Sequence, residues 1–152
     1  MSLVIEPAKP HDEPEIQRLI RSVLAEFGLP YDTATAAELT GIEEQYRPPR
    51  SVFFVARMDG RIIGTTGVKE AGEGKAILKH QYVHADYRRK GIGAKLLDAA
   101  LVYCRVLGYR EVELDTAAWM QQAQRLYRSR GFRETGRDES GVHFRLALAR
   151  SP

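Results

Sequence analysis

The sequence contains one cysteine, Cys104, among its 152 residues. A single thiol excludes an internal disulfide and any metal cluster built on several cysteines. The four histidines, His11, His80, His84 and His143, lack the spacing of metal ligands, so we expect no metal. The place of Cys104 within a helical pattern favours a small core residue over a nucleophile.

Long apolar runs are also absent. No segment approaches the length that spans a bilayer, and the N-terminus has no apolar stretch after a basic start. We therefore expect a cytoplasmic protein without membrane contact. The chain has no repeats or low-complexity segments, and its length and its 43% hydrophobic content are those of one soluble domain over residues 1–152.

Neither sign of charge dominates, because the formal net charge is +3. The cations do cluster, however, at Arg88, Arg89, Lys90 and Lys95, and again at Arg125, Arg128 and Arg130. Such clusters suit a small polyanion as well as a nucleic acid. RNA-binding modules interleave dense cations with aromatic residues, a pattern that is missing here, so we expect no nucleic-acid partner.

Alternating apolar runs predict strands at residues 3–6, 52–57, 62–68, 76–83 and 112–116, with a final hairpin that turns near Gly141. The pair Asp59-Gly60 predicts a tight hairpin, because a type I′ turn needs positive φ at both central residues. Apolar spacing of three and four predicts a helix that Asp12 caps and that buries one stripe of side chains: Ile16, Leu19, Ile20, Val23, Leu24 and Phe27. One short helix is predicted within residues 29–50. Two longer helices are predicted over residues 92–107 and over residues 119–130.

This order of elements predicts an α/β (α+β) fold with a mixed, mostly antiparallel sheet and helices on both faces. The first four strands form an antiparallel meander. A strand, a crossover helix and a further strand then imply parallel pairing with right-handed connection.

The stretch from Tyr82 to Gly93 is the most informative for function. A strand ends at Val83, cations follow, and Gly91 and Gly93 precede a helix. Glycines remove the Cβ atoms that would keep a ligand from the backbone, and the N–H groups at a helix start have no intrahelical partner. The pattern indicates an anion site suited to a phosphate-bearing ligand. It is neither the dinucleotide fingerprint nor a Walker loop, whose spacings differ.

The spacing Arg88-x-x-Gly91-x-Gly93 after a strand resembles the acyl-CoA motif (Q/R-x-x-G-x-G/A) of the GNAT superfamily of N-acetyltransferases, in its small bacterial form. The order of elements agrees with this fold over essentially the whole chain. A second stretch, from Leu114-Asp115-Thr116 through Met120 and Leu126-Tyr127 to Gly131-Phe132, resembles the C-terminal signature of the superfamily. Many members have Asn at the place of Met120, so the resemblance implies that the polar contact which this Asn often makes with the cofactor is lost here.

The resemblance implies acetyl-CoA (coenzyme A) as the acetyl donor. In this fold the strand that ends at Val83 and the strand that starts near Val112 diverge, and pantetheine pairs with the free main chain. The cofactor-binding residues are then Tyr82, Val83, Arg88, Arg89, Lys90, Gly91, Ile92, Gly93 and Ala94. Backbone donors should dominate the grip on the pyrophosphate, because exposed cations contribute about 1 kcal/mol or less each.

The resemblance also implies that Tyr127 protonates the departing thiolate as a general acid. Tyrosine suits this role because its usual pKa near 10 keeps it protonated at neutral pH. The general base stays open among His80, Glu113, Asp115 and ordered water, since Glu113 and Asp115 share one face of their strand. His84, at the strand exit, is read as a loop residue.

The acceptor is expected to be a primary amine of a small molecule, with Tyr31, Glu43 and Tyr46 near it in the polar segment 29–50. Acids such as Glu38 would suit a cationic amine, whereas the basic balance would suit an acidic one. Two alternatives share the fold: an acyl-CoA-binding regulator without catalysis, and a protein acetyltransferase acting on N-termini or lysines. The resemblance is compatible with a homodimer and leaves the oligomeric state open.

Overall fold

A computed structural model of the protein describes residues 2–148. Its strands form one seven-stranded sheet. The strands are β1 (Leu3–Pro7), β2 (Val52–Met58), β3 (Arg61–Gly72), β4 (Lys75–Val83), β5 (Glu111–Thr116), β6 (Arg133–Asp138) and β7 (Gly141–Ala147). The helices are α1 (Glu13–Glu26), α2 (Thr33–Glu38), α3 (Ile42–Gln45), α4 (Ile92–Val106) and α5 (Gln121–Ser129).

The strand order across the sheet is β1-β2-β3-β4-β5-β7-β6. The first four strands are antiparallel neighbours, as the sequence predicts. β5 runs parallel to β4 after the α4 crossover, and it pairs antiparallel with β7, which pairs antiparallel with β6. The predicted mixed, mostly antiparallel sheet is confirmed.

Helices cover both faces of the sheet, and β2 shows how the sequence divides them. Phe53 and Val55 belong to the apolar cluster of α1, Leu39 and α3, whereas Val52 and Ala56 belong to the clusters that contain α4. The alternation follows from the period of two along a strand, which sends successive side chains to opposite faces. Tyr127 of α5 lies in the same cluster as α4, so α4 and α5 share a face.

The turn between β2 and β3 has the predicted geometry. Asp59 and Gly60 have φ values of 52° and 84°. Two positive φ values in a two-residue connection match the twist of the flanking strands. The Asp-Gly signal in the sequence is therefore confirmed.

Three local expectations were wrong. The segment 29–50 holds two short helices instead of one, because Gly41 adopts a left-handed φ of 69° between them. Phe27 is 39% exposed, since α1 ends at Glu26 and the chain turns away from the core. Asp12 does not cap α1 with its side chain; its buried carboxylate pairs with the guanidinium of Arg57 on β2.

None of the helices within residues 2–148 combines the length and the apolar character needed to cross a membrane.

Candidate functional site

A gap opens inside the sheet where β4 and β5 separate. Their parallel pairing covers residues 75–77 of β4 and 111–113 of β5 and stops there. β4 then continues to Val83 with β3 as its partner, and β5 continues to Thr116 with β7. The edge of β4 that faces β5 is therefore without a strand partner from residue 78 onward. Main-chain donors and acceptors need partners, so an extended ligand with amide groups can add to β4 as a strand does.

The loop after β4 ends in a helix start that is open to ligands. Gly91 has a left-handed φ of 75°, and the first hydrogen bond of α4 runs from the Lys95 N–H to the Gly91 carbonyl at 3.0 Å. The N–H groups just before Lys95 have no acceptor within the helix, as at any helix start. A Cβ atom on Gly91 would meet no atom within 4 Å, so space lies above the backbone there. The loop can thus accept an anionic group against its main chain.

Arg88 is tied to the protein instead of being free for an anion. Its Nε donates to the carbonyl oxygen of Val83 at 3.1 Å. Its guanidinium forms a two-bond ion pair with Glu26 at the end of α1, and it lies 5.3 Å from the centroid of the Phe27 ring. The carboxylate offsets most of the charge that Arg88 could offer a phosphate. The Val83 carbonyl, expected to be free, already has this partner.

One cavity of about 490 Å³ joins the gap and the glycine loop; we call it the central cavity. All of the residues predicted to bind the cofactor line it except Lys90, whose Nζ lies 5.4 Å from the centroid of the Tyr87 ring. Val23 of α1 and Leu126 of α5 also line it. Because α1 and α5 lie on opposite faces of the sheet, the central cavity passes through the sheet at the gap.

Tyr127 lines the central cavity from α5. Its side chain is 6% exposed, and its ring lies 5.9 Å from the ring centroids of Phe132 and of Phe144. Burial raises the pKa of the Tyr127 hydroxyl above its usual value, because the phenolate would lose its hydration. The hydroxyl therefore stays protonated at neutral pH, as a proton donor requires.

The connection from β5 to α5 is held by a buried glutamine that sequence reasoning missed. The Gln124 amide donates to the carbonyl oxygens of Ala117 and Ala118 at 3.2 and 2.9 Å. The Thr116 hydroxyl lies 3.8 Å from the Met120 sulfur, within the range of a weak hydrogen bond to a thioether. These contacts place Met120 on the wall of the central cavity.

Two exposed aromatic side chains also line the central cavity. The rings of Phe27, after α1, and Trp119, before α5, lie 4.9 Å apart between centroids. Their exposed fractions are 39% and 50%. Sequence reasoning missed both, because Phe27 continues the core stripe of α1 and Trp119 falls inside the predicted helix. The available signal in the sequence was the tryptophan itself, which lies within the second motif, between Thr116 and Met120.

His80 lies on a bulge of β4, and its backbone has a left-handed φ of 57°. The Thr65 hydroxyl donates to the His80 carbonyl at 2.7 Å. The imidazole is nearly buried, and its Nε2 makes no hydrogen bond although the Glu38 carboxylate is 3.4 Å away. Burial lowers the pKa of His80 in spite of this carboxylate, so the ring is neutral at pH 7. His80 itself does not line the central cavity, but Gln81 and Tyr82 do.

Glu113 and Asp115 are not brought to the central cavity. The alternation along β5 buries Val112, so the two acids face away from the core. Glu113 lies 3.8 Å from the Lys75 ammonium group, and Asp115 bonds the imidazole of His143 on β7.

The residues expected near an acceptor also lie elsewhere. The guanidinium of Arg21 lies over the Tyr31 ring, 4.3 Å from its centroid. Glu43 and Tyr46 line a second cavity of about 330 Å³ between α3 and the start of β2. His84 is a loop residue, as expected, and its Nδ1 accepts from the Asp86 N–H at 3.1 Å. Within residues 2–148 no cluster of His, Cys, Asp and Glu could hold a metal ion.

Comparison with known proteins gives a consistent picture. Residues 16–132 match the model of the Acetyltransferase (GNAT) family. The chain is 32% identical to the uncharacterized N-acetyltransferase YjgM of Escherichia coli K12, over 80% of this chain and 76% of that protein. It is 32% identical to human N-acetyltransferase 8 over 76% of its own length and 53% of the human protein, so it spans about half of that relative. The crystal structure of a GNAT-family acetyltransferase from Staphylococcus aureus Mu50 superposes with a TM-score of 0.89 at 25% identity, covering 97% of this chain and 100% of that one.

Proposed function

Because the chain belongs to the GNAT family of acetyltransferases, we propose that it transfers the acetyl group of acetyl-CoA to a primary amine of a small molecule. The observation that carries this proposal is the central cavity. It joins the free edge of β4, the open start of α4 and Tyr127 in one space. Each of the three supplies one requirement of acyl transfer from a thioester.

The donor is held by the main chain in this proposal. The amide groups of pantetheine add to the edge of β4 near Tyr82 and Val83, where no strand from β5 reaches. Val83 offers only its N–H there, because Arg88 already donates to its carbonyl. The pyrophosphate rests on the N–H groups of residues 92–94, and Arg89 adds Coulomb attraction from the cavity wall. Arg88 contributes by fixing the loop, because its own charge is already paired with Glu26.

The transfer needs two proton movements beside the new bond. The amine nitrogen attacks the thioester carbonyl carbon, and the negative charge that forms on oxygen is met by a main-chain N–H at the end of β4. The C–S bond then breaks, and the sulfur leaves with its bonding electrons. Tyr127 gives that sulfur its phenolic proton and regains one from solvent. The surplus proton of the amine must reach a base.

His80 is the candidate base that we retain. Glu113 and Asp115 lie outside the central cavity, whereas His80 is on the strand that lines it and is neutral at pH 7. Its Nε2 has no hydrogen bond and can accept a proton. Because His80 does not line the cavity and its Nε2 is buried, ordered water in the cavity remains the alternative acceptor of the surplus proton.

A small acceptor fits the opening better than a folded protein does. Phe27 and Trp119 line the central cavity and contact each other, so both rings take up space along its wall. A lysine on a protein surface would have to bring its own backbone past these rings. An amine of a few carbon atoms needs no such space.

The test is Tyr127→Phe, which keeps the ring packed between Phe132 and Phe144 and removes the hydroxyl. Positioned proton transfer contributes about 10² to 10⁴ in rate, so kcat should fall at least tenfold. The melting temperature and the affinity for acetyl-CoA should stay close to those of the wild type. Initial rates of CoA release with a panel of amines, together with calorimetry, measure both quantities.

Three outcomes would contradict the proposal in different ways. Full kcat in the Tyr127→Phe variant would leave this residue as packing and the acid unidentified. Tight acetyl-CoA binding by the wild type without turnover of any amine or peptide would favour a regulator that senses the acyl donor. Turnover of peptides alone would favour a protein acetyltransferase.

A further inference from the structure

Part of the wall of the central cavity is aromatic. Phe27 follows α1 and Trp119 precedes α5, so the two rings come from opposite sides of the gap and meet at 4.9 Å. Half of the surface of Trp119 stays exposed despite this contact. Large aromatic side chains exposed at a cavity commonly serve recognition, because they offer much contact area at low conformational cost.

Contacts of neighbouring residues hold both rings in position. The Arg88 guanidinium lies over the Phe27 ring and forms an ion pair with Glu26, the residue before Phe27. These contacts connect the end of α1 to the loop after β4. The Gln124 amide ties down the two carbonyl groups directly before Trp119. A wall that is positioned in advance loses little entropy when a ligand packs against it.

The same region offers no partner for a second charge on the acceptor. Among residues 2–148, the side chains that line the central cavity include no carboxylate. The nearby acids are engaged, since Glu26 pairs with Arg88 and Glu38 accepts from Lys79 at 3.0 Å. A second ammonium group would therefore lose its hydration without compensation. An acceptor carboxylate would find Lys79 and Arg88 occupied by these acids, and it would compete with the pyrophosphate for Arg89, which also lines the central cavity.

We propose that the acceptor is a primary monoamine that carries an aryl group and no second charge, with the aryl group packed on Trp119 and Phe27. This inference rests on the proposed function. It deepens that function by naming the class of amine, and it assigns Trp119 as the main residue that determines specificity. The acidic and polycationic amines left open by the sequence are thereby set aside.

The experiment compares four amines with the wild-type protein and acetyl-CoA: 2-phenylethylamine, butylamine, spermidine and phenylalanine. We expect kcat/KM for 2-phenylethylamine to exceed that for each of the others by at least about tenfold, which corresponds to about 1.4 kcal/mol. Trp119→Ala should remove most of that preference, and Trp119→Phe should restore part of it. Val106→Ala is the matched control, because Val106 is 78% exposed on α4 and does not line the central cavity.

The readouts separate this inference from the function on which it rests. If no amine is acetylated, the proposed function fails. If amines are acetylated but spermidine, phenylalanine or butylamine equals 2-phenylethylamine, the inference alone is overturned. A Trp119→Ala variant that loses affinity for CoA in calorimetry, yet keeps the wild-type ratio among the amines, would assign Trp119 to the cofactor and overturn the inference as well.

Discussion

The pair of variants Gly93→Ala and Gly93→Val separates the role of the glycine loop in binding from its role in folding. Gly93 is the second residue of α4, and a Cβ atom built on it has Val83 Cγ2 as its nearest contact, at 3.7 Å. That distance is ordinary van der Waals contact, and the residue does not have a left-handed φ. The fold should therefore accept alanine, which favours a helix over glycine by up to about 1 kcal/mol.

The new methyl group nonetheless enters the central cavity, which Gly93 lines. It stands where the pyrophosphate would approach the first N–H groups of α4. The motif admits alanine at this position, so we expect Gly93→Ala to bind CoA much as the wild type does. The larger side chain of Gly93→Val should raise the dissociation constant for CoA by about tenfold or more, equivalent to about 1.4 kcal/mol. Calorimetric titration with CoA measures the affinity, and a thermal melt of Gly93→Ala should show a midpoint at or above that of the wild type.

Gly108→Ala supplies the opposite control. Gly108 follows α4 with a left-handed φ of 79°, and a Cβ atom there meets nothing within 4 Å. A side chain in that conformation costs on the order of 1 kcal/mol in stability, but Gly108 lies outside the central cavity. Gly108→Ala should thus lower the melting temperature and leave CoA affinity unchanged. A folded Gly93→Val variant with wild-type affinity would refute the placement of the pyrophosphate on this loop.

Two further predictions follow from the charges. Because Arg88 is paired with Glu26, raising salt from about 0.05 to 0.5 M should weaken CoA binding by less than about tenfold in calorimetry, far from the slope of a nucleic-acid binder. Hydrogen bonds to Asp115 and Asp138 raise the pKa of His143. The charged ring therefore stabilises the β6–β7 hairpin fully below about pH 6.5, the pKa of histidine in the unfolded chain. This stabilisation is lost as the pH rises through the raised pKa of the folded protein. A titration of His143 by NMR should give a pKa above about 6.5, and Asp115→Asn should lower that pKa. A His143 pKa that is not raised would contradict the pairing of His143 with Asp115.

The loop and the tyrosine could be predicted from sequence because their signals are local. Gly91 must be glycine for its positive φ, and it adjoins a helix start whose position the apolar stripe of α4 gives. Tyr127 is placed by its spacing within one helix. Each of these features depends on residues that are close in sequence, within about one helical turn.

The candidate bases and the acceptor residues could not be predicted, since their positions depend on contacts between distant segments. The alternation of side chains along a strand places Glu113 and Asp115 on the same face of β5. It does not show whether that face borders the gap between β4 and β5. Arg88 looked free because its partner, Glu26, lies 62 residues earlier in the chain. The bulge that turns His80 toward Glu38 has no signature in the sequence, because neither glycine nor proline marks it.

The unpaired edge of β4 also bears on how the protein avoids aggregation. Free strand edges usually invite pairing with other chains, and many proteins protect them with charges or bulges. Here the free edge lies between two strands of one sheet, with Ala123 and Leu126 of α5 along the gap. A foreign β-strand would need room for side chains above and below its own backbone, and α1 and α5 occupy both sides. A thin unbranched chain of amides can enter this space, so the architecture that favours such a ligand also excludes the edge-to-edge pairing of unfolded or neighbouring polypeptides.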